Sequence, residues 1–368
     1  MIHWIASATN DEPDVQKTGA AVKIVVVYPK SYDTRKPEEI EQGMADLKAL
    51  VPGAEVAWAD YNEPPDLRAL RGHPPYDEAR AKAPALTGEQ RALFAEAEAM
   101  LCLDLPFDMD QLAPKLKWVQ SIGAGVAQLQ SAGLEINNVR LTNAVGVAST
   151  PIAEFAMARI LESWKRFPEL DRMQAERGWK PLYGKSLTGC TIGIVGYGAI
   201  GQAVAARAKP WGMRVLATKR NPTGSDPNVD RFFGYGDLRA LLKECDAVVL
   251  SAPETAETHN MFNQAAFAAM KPGSFLVNVA RGTLVDQAAL KEALVSGHLS
   301  GAATDVAIPE PLPPDDPLWT APNLKISPHC SVSVDKYFHL TWDLFLRNLK
   351  RYLAGEELIN PVSNKYVG

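Results

Sequence analysis

Three polar residues, Arg281, Glu310 and His329, follow short apolar runs of the kind that forms buried parallel strands: Ser274 to Ala280 (SFLVNVA), Gly301 to Val306 and Leu324 to Ser327. In an open α/β sheet the ligand crevice lies outside the carboxyl ends of the strands, so the three are placed to meet one ligand. Singly, each has a bland alternative. Arg281 can cap a loop, Glu310 can be a solvated turn residue between Pro309 and Pro311, and His329 can be a satisfied core histidine after Pro328. Together they are the groups needed to reduce a 2-keto acid by hydride transfer. The oxygen that gains charge needs a proton donor, and histidine is the side chain whose pKa lies near working pH. A carboxylate beside the imidazole stabilises its cationic form and orients it, which suits Glu310. Arg281 supplies a fork that pairs with a substrate carboxylate and polarises the keto oxygen.

Upstream, Thr191 to Val195 (TIGIV) reads as a strand, followed by Gly196-Tyr197-Gly198-Ala199-Ile200-Gly201 and then a helical stretch. The bare pattern has the alternative of a tight turn with glycines for backbone reasons alone. Between a strand and a helix, it is a dinucleotide turn with the helix amides aimed at a pyrophosphate. About 20 residues on, where an acid would bind the ribose 2′-hydroxyl, the strand Arg214 to Thr218 ends in Lys219-Arg220. Two cations there favour a 2′-phosphate, so NADPH is expected over NADH; the other reading is a solvated basic turn in an enzyme that uses either cofactor. Ala252, Pro253 and Ala280, at the ends of two further strands, are expected to line the dinucleotide with Arg281 and His329. Ser121-Ile122-Gly123-Ala124-Gly125-Val126 follows another strand, and there glycines allow N–H groups at Ile122 to Gly125 to approach the same substrate anion.

Positioning these groups takes more than one layer. The chain has 368 residues, which at about 150 residues per domain suggests two domains. With 46% apolar and 22% charged residues it has an ordinary globular balance. The formal net charge of −5 gives no cationic excess for nucleic acid, and the absence of about 18 consecutive apolar residues excludes a membrane helix. Four cysteines without a C-x-x-C pair fit free thiols in a reducing cytoplasm, and six histidines without ligand spacing give no support to a metal. The run KIVVV, a helix over Pro37 to Leu50, and strands at Ala54 to Trp58, Ala99 to Leu103, Lys117 to Ile122 and Val139 to Thr142 predict a first α/β domain. Between Tyr61 and Ala85 the prolines predict an irregular excursion, either a lid or an insertion. Ser149 opens a long helix to about Arg166, with Thr150 as its expected N-cap.

With these parts in order, the sequence resembles the D-isomer-specific 2-hydroxyacid dehydrogenases, nearest to the glyoxylate and hydroxypyruvate reductases. The resemblance spans roughly residues 117 to 361. It rests on GAGV at 123–126, TNAVGVASTPIAEF at 142–155, GYGAIG at 196–201, NVARGTLVD at 278–286, DVAIPEPL at 305–312 and SPHCS at 327–331. It implies Arg281, Glu310 and His329 as the catalytic set, Asp305 as partner of the nicotinamide carboxamide, and a homodimer with cofactor domains in contact. It also implies two Rossmann-like domains with a cleft between them: a flavodoxin-like substrate domain, residues 20–146 and 334–368, and a doubly wound dinucleotide-binding domain, residues 147–333. The substrate domain would be completed by a helix from about Val334 to Leu353, and residues 1–19 form an extension of unknown structure. Two alternatives remain open at this point: a dinucleotide-sensing, co-repressor-like binding protein, and a formate- or phosphite-type dehydrogenase.

Overall fold

The computed structural model describes residues 22–28, 33–72, 74–333 and 337–362; the expected extension over residues 1–19 and the expected helix start at Val334 lie outside them. Five strands, β1 (Lys23–Val27), β2 (Glu55–Ala59), β3 (Ala99–Cys102), β4 (Trp118–Ser121) and β5 (Arg140–Thr142), form one parallel sheet in the order β2-β1-β3-β4-β5. That is the flavodoxin-like order. Seven more, β6 (Thr191–Val195), β7 (Arg214–Thr218), β8 (Arg231–Phe233), β9 (Ala247–Leu250), β10 (Ser274–Asn278), β11 (Leu299–Thr304) and β12 (Leu324–Ile326), form a second sheet in the order β12-β11-β10-β9-β6-β7-β8. It too is parallel throughout. The expected α/β architecture of two Rossmann-like units is what the structure shows.

The central strands form where β-branched and small apolar residues run together because helices cover both faces and keep most of their positions dry, whereas the edge strands β2, β5, β8 and β12 each keep an exposed residue. All residues of β3, β4, β6, β9 and β10 are buried. The helix Pro37–Leu50 starts with Pro37 in its first turn, Glu38 and Glu39 on its positive end and Lys48 in its last turn, as the helix dipole favours. The long helix Ser149–Trp164 buries Ala153, Ala156, Met157, Ile160 and Trp164, and its small residues let it lie against the helix Ala199–Ala208. Thr150 is not its cap: Ala148 holds that position, and Ser149 spends its hydroxyl on the Gly146 carbonyl at 2.6 Å.

From the second sheet the chain returns to the first. The helix Tyr337–Leu353 sets Phe338, Trp342, Phe345 and Leu349 into the core of the five-stranded unit. Phe345 stacks on Trp118 with centroids 5.0 Å apart, and Phe338 on Tyr28 at 5.2 Å. Burial of each such side chain contributes about 1.5–3 kcal/mol. Among the described residues, no helix is long and apolar enough to cross a membrane.

The proline-rich stretch differs from the expected irregular excursion: it holds two short helices, Pro65–Leu70 and Asp77–Lys82. Proline is tolerated in a helix's first turn, so here it starts a helix instead of breaking one. A buried network fastens the stretch. Arg71 and Glu63, both fully buried, form an ion pair, Tyr61 donates to Glu63 at 2.7 Å, and Arg71 donates to Ser131 at 2.8 Å. Arg68 holds Asp104, just after β3, with two bonds of 2.8 Å. Burial pushes the Glu63 carboxyl up, against the pull of Arg71. Replacing Arg71 by Met strands that carboxyl without its cation, so Arg71→Met is expected to cost about 3–5 kcal/mol in urea denaturation. Adding Glu63→Gln should recover much of the loss; a single variant within about 0.5 kcal/mol of the parent would refute the role given to the pair.

Candidate active site

Each functional side chain stands on a turn at the carboxyl end of a strand. Arg281 follows β10, on a turn held from below by buried Asn278, which accepts from Ala280 N–H and donates to the Arg281 carbonyl, both at 3.0 Å. The guanidinium donates to the Ala280 carbonyl at 2.7 Å through Nη1. Its Nη2 lies against the glycine loop of the other unit, where a Cβ on Gly125 would come within 2.7 Å of it. Gly125 therefore has a steric reason: any side chain there displaces the guanidinium.

His329 follows β12 with φ of 53°, a left-handed conformation uncommon for a residue with a side chain. Buried Asp305 enforces it. Its carboxylate accepts from Ser327 Oγ at 2.6 Å and from the N–H groups of Cys330 and Ser331 at 2.9 Å each, while its carbonyl accepts from His329 N–H at 2.9 Å. The imidazole, half exposed, places Nδ1 3.0 Å from Glu310 Oε2. The other Glu310 oxygen accepts from Ala307 N–H at 2.9 Å. Burial raises the Glu310 carboxyl's pKa, but the His329 and Ala307 hydrogen bonds and the charges of His329 and Arg281 outweigh it and hold the group below its ordinary value.

Across the cleft, Ile122 is buried and its carbonyl accepts from Tyr337 Oη at 2.6 Å. Gly123 N–H goes to Ser121 Oγ at 3.1 Å and the Ala124 carbonyl accepts from Asn143 at 2.9 Å. Among the described residues the N–H groups of Ala124 and Gly125 meet no acceptor. Two free donors beside a guanidinium form a concavity for a small anion.

The second glycine turn lies at the switch point of the seven-stranded sheet, between β6 and β9. Gly196 has φ of 100°, and a Cβ on it would meet the Ala252 backbone at 2.5 Å; one on Gly201 would meet the Gly196 carbonyl at 2.3 Å. Nothing lies within 4 Å of the corresponding point on Gly198. Ala199, Ile200 and Gly201 open the helix Ala199–Ala208, whose first intrahelical bond is Gln202 N–H to the Gly198 carbonyl at 2.9 Å, so their own N–H groups point out of its end. Close backbone packing beneath and open space above, at a helix N-terminus, fit a pyrophosphate. Pro253 continues the chain beside this turn, and Tyr197 sets its ring edge-on to Phe232 at 5.0 Å. Lys219 stands at the end of β7 with Nζ 3.7 Å from the Phe232 ring centre, and Arg220 beside it is exposed.

The structure thus brings Arg281, Glu310, His329 and Gly125 together and sets the dinucleotide turn on the same sheet edge. Asp305 reaches the site through the His329 turn, and Asn278 through the Arg281 turn. Asn278 was legible as the one strongly polar side chain interrupting the apolar run of β10; Tyr337, at the start of a distant helix, leaves no such signal.

The family model described as D-isomer specific 2-hydroxyacid dehydrogenase, NAD binding domain, matches residues 157–331. A glyoxylate reductase of Korarchaeum cryptofilum is 35% identical over 273 residues, 71% of this chain and 81% of its own length. A D-isomer specific 2-hydroxyacid dehydrogenase family protein from Aeromonas salmonicida has a similar solved structure, with a TM-score of 0.74 at 27% identity over 94% of this chain and 99% of that one. The NADPH-dependent glyoxylate/hydroxypyruvate reductase of Sinorhizobium meliloti, solved with NADP and sulfate, gives 0.70 at 25% identity over 94% and 100%.

Proposed function

Because the chain belongs to the D-isomer specific 2-hydroxyacid dehydrogenase family and is an NAD(P)-dependent oxidoreductase, we propose that it reduces a small 2-keto acid, such as glyoxylate or hydroxypyruvate, to the D-2-hydroxy acid. The observation that carries this reading is the 3.0 Å contact of His329 with Glu310, on the same sheet edge as a guanidinium that faces Gly125. The dinucleotide, when bound, supplies the hydride. Arg281 and the free N–H groups of Ala124 and Gly125 hold the substrate carboxylate, and Arg281 polarises the keto oxygen. His329, held in orientation by Glu310, gives its proton from Nε2 to that oxygen as charge develops on it. In this reading Asp305 adds a contact with the carboxamide while it holds the His329 turn.

His329→Ala is expected to lower kcat about 10²–10⁴-fold with the parent's Kd for NADPH. A panel of 2-keto acids followed by NADPH absorbance tests it. Absent turnover across the panel by the parent enzyme would overturn the reductase reading.

For the cofactor we favour NADPH, on the two cations at the end of β7 and on the cofactor named for the Sinorhizobium relative. Lys219→Asp with Arg220→Ala should shift the NADPH:NADH ratio of kcat/KM at least about tenfold toward NADH, and an unchanged ratio would remove the assignment.

We further propose a homodimer joined through the cofactor units. Phe167, Trp179 and Tyr183, 49%, 99% and 86% exposed, leave aromatic surface beside the helix Ser149–Trp164 that a second copy would cover. Sedimentation should give twice the chain mass, and a monomer at micromolar concentration would count against the pairing.

A further inference from the structure

The loop that carries Glu310 is poor in means to hold itself. Four of its eight residues from 307 to 314 are proline, which has no N–H to donate. Besides the imidazole on Glu310, two side chains from other elements fasten its backbone: Trp319 Nε1 donates to the Pro313 carbonyl at 2.7 Å, on the far side of Glu310, and Gln287 holds the near side. Gln287, first residue of the helix Gln287–Val295, accepts from Ile308 N–H at 2.8 Å and donates to the Ile308 carbonyl at 2.8 Å. A primary amide can do both at once, as a neighbouring strand would; a carboxylate can only accept, and an ammonium can only donate. The helix end bearing Gln287 is itself fixed, because Asp286 caps it by accepting from Ala288 and Ala289 N–H at 3.0 and 3.1 Å. Gly282 completes the contact from the Arg281 side, since a Cβ there would sit 2.3 Å from the Ala307 carbonyl oxygen.

Ile308 lies between the two residues that matter. Ala307 N–H holds one oxygen of Glu310, and the second faces His329. We propose that Gln287 is a positioning residue, whose two bonds to Ile308 hold the Ala307–Glu310 segment so that the carboxylate keeps one oxygen on the Ala307 N–H and the other on the imidazole. The inference rests on the reading of Glu310 and His329 as the acid–base pair.

The charged groups facing Glu310 are His329 from the turn after β12 and Arg281 from the turn after β10. Asp305 is committed to the 327–331 turn, and Asp286 to its own helix cap. Since the Glu310 carboxyl is held below its ordinary value, what the ionised pair contributes is fully present above the ordinary value and is lost as pH falls from there through the lowered one. A loosened loop weakens the bonds from Ala307 and His329, so the carboxyl must titrate higher.

The test is Gln287→Met, which keeps length and helix propensity and removes both bonds. Titrated by carboxyl-carbon NMR in the full chain, Glu310 should move up by about half a pH unit or more, and the acid limb of kcat/KM should move with it. We expect kcat to fall about tenfold at parental Tm and NADPH affinity. Gln287→Glu, which keeps an acceptor for Ile308 N–H, should retain more of kcat than the Met variant. A folded Gln287→Met protein with an unmoved Glu310 midpoint overturns the proposal, as does a loss of activity with an unmoved acid limb. The NMR titration needs no turnover, so an enzyme inactive on every 2-keto acid would defeat the proposed function and still leave this inference decided.

Discussion

Asn278 of β10 lies beside Thr304 of β11, and Thr304 beside Ile326 of β12, so three neighbouring parallel strands end level with one another. Adjacent strands are about 4.8 Å apart. Residues a few positions past those ends are therefore within side-chain reach before any loop has been specified. Arg281 and His329 come three residues after the last paired position of their strands, and Glu310 comes six after. A slip of two residues in one strand would carry its group some 7 Å along the sheet and break the His329–Glu310 contact. The ladder hydrogen bonds of a buried sheet thus set the precision of the chemistry.

Turns alone would blur that precision, and in each of the three a polar side chain from outside the turn's apex keeps it in place. Asn278 grips the Arg281 turn, Asp305 grips the His329 turn, and Gln287 grips the residue two before Glu310. All three work on backbone N–H and C=O groups, so they fix where the side chains of Arg281, His329 and Glu310 begin without competing for their charge. The charge is left to the reacting groups, and Glu310 shows the balance: its partners more than offset the cost of its burial.

The strand ends and the Gly196 turn are legible in the sequence because both depend on local pattern: an apolar run that stops at a polar residue, and glycines at fixed offsets. What depends on long separation is not. Gln287 reads as an ordinary residue at a helix start, and its partner Ile308 is 21 positions away in a stretch that otherwise reads as a proline loop. Arg71 is fully buried although arginine is rarely so, and only the folded position of Glu63 and Ser131 explains it. Strand β8 has three residues, too few to show a period. Thr150 has the residue type of a cap, yet the helix begins one residue before it, because a cap is a matter of backbone angle as well as chemistry.

The chain passes between its two halves twice, once after β5 and once before the helix Tyr337–Leu353. The first passage is stitched by the tail, since Asn143 N–H reaches the Asn360 carbonyl at 3.1 Å and Asn360 donates to Val145 at 2.8 Å. The second is stitched to Ile122 by Tyr337. Any swing of one half on the other must pivot on these two tethers, which adjoin the floor where Gly125 and Arg281 touch. A rotation about them would move the rim of the cleft more than its floor, leaving Gly125 and Arg281 in contact.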